Sequence, residues 1–276
     1  MNVRVDWLEA GMMAARRLND RRAEAWHLGN LGLAASNLQN YRRAIECYKG
    51  QLEIAKGIGD RQGESAALCN LGVAHKNLRE ADIAIGFYEQ SLAVAHDMGD
   101  RTGEAFALGN LGLVHAELGN TRAAVEFHKK ALIIAVETGD QRTEGAVLGN
   151  LGLAYLASDE VPLAVKCFED QLSITRQLGD RRWEGADLGN LAAGYAKIGP
   201  PERAIEYYTE ALAIADEIDD PRGKSTAHWE LCLLFDRIGN RASAVVHAAA
   251  ALEILKQTED PLATKVQEQL DKWMTS

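Results

Sequence analysis

Residues 99–140 read GDRTGEAFALGNLGLVHAELGNTRAAVEFHKKALIIAVETGD, and the spacing of their apolar side chains decides the fold. Leu108, Leu111, Val114 and Leu118 recur at helical intervals, as do Ala124, Phe127, Ala131, Ile134 and Ala135. That is the period of a buried helix face, not the alternation of a strand. The stretch therefore predicts two helices. Asp100 stands where an N-cap carboxylate accepts orphan backbone N–H groups, and Glu104 follows in the first turn, where the helix dipole favours an anion. Gly119 separates the two helices, and Gly139 ends the second at a position suited to a left-handed cap.

Outward from this stretch the same grammar returns every 40 residues. Gly59-Asp60 and Gly179-Asp180 repeat the boundary, with Asn19-Asp20, Asp219-Asp220 and Glu259-Asp260 as weaker copies. Leu31, Leu71, Leu111, Leu151, Leu191 and Leu231 recur without a gap, and so do Ala44, Ala84, Ala124, Ala164, Ala204 and Ala244. A self-similar period of this size predicts a repeat architecture. The expected division is six helix pairs at 21–60, 61–100, 101–140, 141–180, 181–220 and 221–260. Residues 1–20 then form the second helix of a truncated repeat, and 261–276 a capping helix whose one apolar stripe is Leu262, Val266, Leu270 and Trp273. Proline placement agrees with this register: Pro221 and Pro261 follow capping Asp residues, and Pro162, Pro200 and Pro201 fall at the start of second helices, where the missing N–H costs little.

These residues look like the tetratricopeptide signature: Leu111-Gly112 followed by Ala124, and Leu151-Gly152 with Tyr155, Ala164 and Phe168. The resemblance covers nearly the whole chain and implies an all-α fold, a right-handed superhelical solenoid of antiparallel helix pairs. The period departs from the family's usual 34 residues, and the added length resembles the longer repeats of kinesin light chain and spindle-orientation adaptors. The opening Trp7-Leu8-Glu9-Ala10-Gly11, leading into Arg16-Arg17-Leu18, resembles the C-terminal sensor arrays of bacterial signal-transduction ATPases of the STAND class. That resemblance implies a longer parent chain with a nucleotide-binding module upstream.

Composition narrows the partners. Forty acidic against 30 basic residues give a formal charge of −10, a field that repels phosphate backbones and anionic membrane surfaces. Neither nucleic acid nor a membrane is expected as a partner. Charged Arg4, Asp6 and Glu9 interrupt the stretch where a secretory leader needs an apolar run, so a cytoplasmic location is expected. Cys47, Cys69, Cys167 and Cys232 form no C-x-x-C pair and lie in apolar helical patterns, which reads as buried thiols.

Chemical motifs are scarce. Gly223-Lys224-Ser225-Thr226 has the tail of a phosphate-binding loop, but the glycine the motif needs upstream is Ile218, and Gly223 falls in a helix. His75 and His115 occupy equivalent positions one repeat apart, too far for one zinc ion, and Tyr155, Tyr195 and Phe235 fill that position later. A packed ring is the expected role. No catalytic residues, metal ligands or cofactors are predicted.

The distinctive feature is a ladder of asparagines, Asn30, Asn70, Asn110, Asn150 and Asn190, ending where Glu230 replaces the sixth. Asn is a poor helix-interior residue, so its recurrence at one phase calls for a cause. A carboxamide offers donor and acceptor, and can pair with the backbone of an extended peptide as a neighbouring strand does. The resembled long-repeat adaptors hold peptides through asparagines of this kind. Trp26, Phe106, Leu113 and Leu153 lie beside the ladder and would supply apolar pockets. The alternative is that each Asn bridges to the backbone of the adjacent repeat and sets its stacking, in a scaffold or self-associating solenoid. Gly29, Gly109, Gly149 and Gly189, next to the ladder, predict close approach of another backbone, from ligand or from the adjacent repeat. Arg142, Arg182, Lys197 and Arg237 predict a basic C-terminal half of the groove and a peptide or protein ligand acidic at one end.

Overall fold

The computed structural model describes residues 3–275. These form fourteen helices and no strand, in two compact units, residues 1–147 and 148–276, with the division falling inside helix α8 (Gln141–Ala157). No helix among the described residues is long and apolar enough to cross a membrane.

The first unit runs through α1 (Val3–Arg17), α2 (Arg21–Asn37), α3 (Tyr41–Ile58), α4 (Arg61–Asn77), α5 (Ala81–Met98), α6 (Arg101–Glu117) and α7 (Thr121–Thr138). Each first helix packs along the second helix that follows it, and that second helix packs against the next first helix. The pairing depends on a notch. Gly32, Gly72 and Gly112 admit the rings of Tyr48, Tyr88 and His128, and a Cβ on Gly72 would stand 2.5 Å from Tyr88 Cε1. Only glycine lets the two backbones close to this distance with an aromatic ring between them. Around each notch Leu31, Leu71, Leu111 and their neighbours are buried as a continuous core.

Repeat boundaries carry a second device. Asp20, Asp60 and Asp100 accept the backbone N–H of Ala23, Gly63 and Gly103, capping α2, α4 and α6. The residue before each cap is left-handed, whether glycine at Gly59 and Gly99 or asparagine at Asn19. Asn tolerates that conformation better than most side chains, so the weaker copy of the boundary motif keeps its geometry. Glu24, Glu64 and Glu104 are nearly buried and each is clamped between two nitrogen-bearing side chains. One is the arginine three residues back, and the other sits on the preceding helix: Arg16, Lys56 or His96. Arg61 and Arg101 extend the chain of charge to Asp97 and Glu137.

The second unit contains the rest of α8, then α9 (Val161–Leu178), α10 (Arg181–Ile198), α11 (Pro201–Glu217), α12 (Pro221–Arg237), α13 (Arg241–Gln257) and α14 (Leu262–Thr275). Phe168 fills the notch at Gly152. Glu184 is clamped by Arg176 and Arg181. Helix α14 closes this unit: Val266 and Leu270 are buried against Trp229, Cys232, Ala251 and Leu255, with the Arg241 guanidinium 4.8 Å from the centre of the Trp273 ring.

Candidate functional site: the inner faces of the first helices

Within the first unit α2 touches α4 and α4 touches α6, a closer backbone approach than the second helices α3, α5 and α7 make to one another. In the second unit α10 likewise touches α12. The first helices therefore line the inside of the curve in each unit. The asparagines sit on this face: Asn30, Asn70 and Asn110 in the first unit, Asn150 and Asn190 in the second, all half-buried. Trp26 and Phe106 project beside them, 55% and 57% exposed. Leu153 is also exposed, while Leu113 is half-buried.

Asn30 Nδ2 donates to the Trp26 carbonyl and Asn110 Nδ2 to the Phe106 carbonyl, each at 2.9 Å and each one turn back in its own helix. Among the described residues the link from this set to another repeat is the weak one from Asn110 Nδ2 to Cys69 Sγ at 3.8 Å.

The neighbouring glycines answer to side chains, not to another backbone. A Cβ on Gly29 would meet the Gln51 carboxamide at 2.8 Å, and one on Gly149 would meet that of Gln171 at 2.6 Å. At Gly109 and Gly189 an added Cβ would meet nothing within 4 Å. The reason is in the facing column, where Gln51 and Gln171 give way to Ala131 and Ala211.

In the second unit this missing side chain opens a cleft of about 780 Å³ among α10, α11 and α12. Its apolar wall is built from small residues, Gly185, Gly189 and Ala211 among them, with Ile214 behind and Trp183 at the rim. Arg182 and Arg222 stand at one end, with exposed guanidinium groups and no acidic partner among the described residues. Neighbouring cations are neutralised: Arg181 by Glu184 and Glu217, Arg176 by Glu184 and Glu210, Lys224 by Asp216 and Asp219. Asp220, also at this end, accepts the Arg222 backbone N–H as the cap of α12. At the other end lie Asn190, Tyr208 and Glu230. Tyr208 Oη donates to Glu230 Oε2 at 3.4 Å. Burial pushes the Glu230 carboxyl above its usual range, against the hydrogen bond from Tyr208 and the charge of Lys265. Burial, reinforced by that carboxylate, pushes the Tyr208 hydroxyl up as well, and the charge of Arg237 opposes it.

The four basic residues read from the sequence thus divide. Arg182 lines the cleft, Lys197 and Arg237 are exposed near the far ends of α10 and α12, and Arg142 is exposed in the first unit. Sequence reasoning passed over Trp183, Tyr208 and Ala211. The signal for two of them lay in the columns: Trp183 stands where other repeats have Ala, Gly or Thr, and Ala211 where two others have Gln. Asp187 was missed in the same way. It is 1% exposed between α9 and α10, in a column otherwise of His, Ala and Val, with Oδ2 accepting from Thr175 Oγ1 at 2.6 Å and Oδ1 without a protein partner.

The tetratricopeptide repeat family profile matches residues 21–97, 78–135 and 143–217. No curated protein matches the sequence. Among solved structures, BtubC (BKLC) from P. vanneervenii is similar with a TM-score of 0.72 at 20% identity, over 79% of this chain and 91% of that one. A signal transduction ATPase with numerous domains (STAND) protein with a tetratricopeptide repeat sensor, from Pyrococcus horikoshii, gives a TM-score of 0.75 at 18% identity, over 90% of this chain and 38% of that one. The Rap conjugation gene regulator of the plasmid pLS20, in complex with the Phr* peptide, gives 0.62 at 13% identity, over 95% of this chain and 76% of that one. At these identities the likeness is one of fold.

Proposed function

The chain belongs to the tetratricopeptide repeat family, and on that premise we propose that it is a non-catalytic protein- or peptide-binding module. In each unit it holds an extended segment against the inner faces of the first helices, with the asparagines as hydrogen-bonding rungs and the exposed rings and leucines as apolar contacts. The observation that carries the reading is where the carboxamides bond. A stacking role requires bonds to the backbone of the adjacent repeat, and the backbone bonds of Asn30 and Asn110 run instead to their own helix. Their oxygens remain available to an incoming N–H, next to the exposed rings of Trp26 and Phe106. The peptide complex of the similarly folded Rap regulator supports peptide as the ligand class. The architecture of the Pyrococcus horikoshii protein supports a place as the sensor arm of a larger signalling protein.

The test is a selection of displayed random peptides on the wild-type chain, followed by titration of the selected peptides into Asn110→Ala and Asn150→Ala variants. Binding is expected to fall at least about tenfold per lost carboxamide pair. The thermal midpoint should hold or rise, because Ala is the better helix former. Full binding combined with a large loss of stability overturns the reading and leaves the asparagines a stacking role.

A further inference from the structure

The cleft in the second unit has a polarity that the asparagine rungs do not account for. Arg182 and Arg222 begin α10 and α12, and Asn190 and Glu230 lie eight residues along the same helices, which is roughly 12 Å on an α-helix. An extended chain covers that distance in about four residues. Between the two ends the wall recedes, because Gly189 faces Ala211 where the fourth repeat sets Gln171 against Gly149. The recess is apolar and flanked by the Trp183 ring, while at its end two guanidinium groups without an ion-pair partner among the described residues stand near Asp220, whose carboxylate caps α12.

We propose that this cleft is the specificity pocket of the peptide site. It takes an extended segment of about four residues whose large apolar side chain enters the recess that Gly185, Gly189 and Ala211 leave and whose acidic side chain lies between Arg182 and Arg222. The recess runs along α10 from Gly185 to Gly189, so its centre lies roughly 7.5 Å from Arg182, or two residues of extended chain, and residues two apart point to the same side. The acidic residue and the anchor are therefore separated by one residue. Asn190 and Glu230 receive backbone N–H groups at the far end, Asn190 through its carboxamide oxygen. Two arginines on neighbouring helices suit a carboxylate, which each binds through paired N–H donors. The inference rests on the peptide-binding reading for its ligand class, but not on the rungs of the first unit.

The test uses the full chain and four blocked peptides in calorimetric titration. These are acetyl-Asp-Ala-Phe-Ala-amide, its reverse acetyl-Ala-Phe-Ala-Asp-amide, and versions of the tighter binder with Asp replaced by Asn or Phe by Ala. One order should bind saturably, and each replacement should weaken it by about tenfold. Arg222→Gln should match the loss seen with the Asn peptide and add nothing to it. Ala211→Gln should abolish binding while the chain stays folded, since Gln is the residue two other repeats carry there. Equal affinity for the Asp and Asn peptides, undiminished binding to Ala211→Gln, or no saturable binding by either order each overturns the proposal. Asn150→Ala lies outside the cleft and separates the two readings. If it abolishes binding of the selected long peptides while Ala211→Gln does not, the cleft falls and the rungs stand; with the opposite pattern the rungs fall and the cleft stands.

Discussion

His128 occupies the slot filled by Tyr48, Tyr88 and Phe168 in other repeats, pressed into the notch of Gly112 and 1% exposed, with neither ring nitrogen bonded to protein. Burial pushes its pKa down to about 4, from 6.5. The folded chain thus holds the neutral ring while the unfolded chain protonates it, so the stability is intact above pH 6.5 and is lost as pH falls toward 4. At pH 5 the unfolded chain gains roughly thirtyfold from protonation and the folded chain almost nothing, a loss of about 2 kcal/mol. At pH 8 the same term is close to zero. His128→Phe keeps a ring of the kind that Phe168 places against Gly152 and removes both the titration and two unsatisfied nitrogens. We expect it to be modestly stabilising at pH 8 and about 2 kcal/mol more so at pH 5. Repeat arrays need not unfold in one step, so the measurement is amide hydrogen exchange in α6 and α7 of both chains from pH 5 to 8, corrected for intrinsic rates. A difference between the chains that stays flat across this range refutes the reasoning, because it means the ring is protonated in the fold or is not desolvated.

Two further outcomes are expected. Burial raises the Asp187 carboxyl to about 6 against the hydrogen bond from Thr175, so the folded chain prefers it protonated and its contribution to stability is lost as pH rises through 6. Asp187→Asn should stabilise by on the order of 2 kcal/mol at pH 7.5 and have little effect at pH 4, and denaturant titrations at the two pH values check both the size and the sign. Glu104→Ala should cost about 1–3 kcal/mol, because it strips a nearly buried carboxylate from Arg101 and His96, whereas loss of the exposed Arg101 side chain should cost less than that, and denaturant titrations of the two variants check the order.

The helix pairs, their caps and the notch glycines were legible in the sequence because each is a local demand repeated many times, and a repeated demand shows as a column. Gly72 and Gly112 recur for the same reason that Asp60 and Asp100 do. What was not legible depends on two columns at once. Nothing in Gly149 or Gly189 alone says whether the space above it is filled, since that is decided by Gln171 or Ala211 on the following helix. The clamp on Glu104 was half-visible: its place in the first turn suggested a helix-dipole role, but the His96 imidazole enters from the preceding helix and only the fold brings it near.

Function in such an array lies where a repeat breaks the rule that its siblings obey, because residues shared by every repeat are already committed to stacking. By that criterion the second unit is the informative one. Trp183 replaces a small residue and Glu230 ends the asparagines, and these two departures converge on the cleft that Ala211, shared with Ala131 and Ala251, leaves open. Stability alone gives no reason for the convergence: an empty recess forgoes packing, and a half-buried carboxylate beside a tyrosine hydroxyl carries a desolvation penalty. A ligand that fills the recess offsets both, and binding to the folded chain alone stabilises it by mass action. The cleft and the two arginines beside it would both be accounted for by the proposed occupant, apolar where the wall recedes and anionic beside the guanidinium groups.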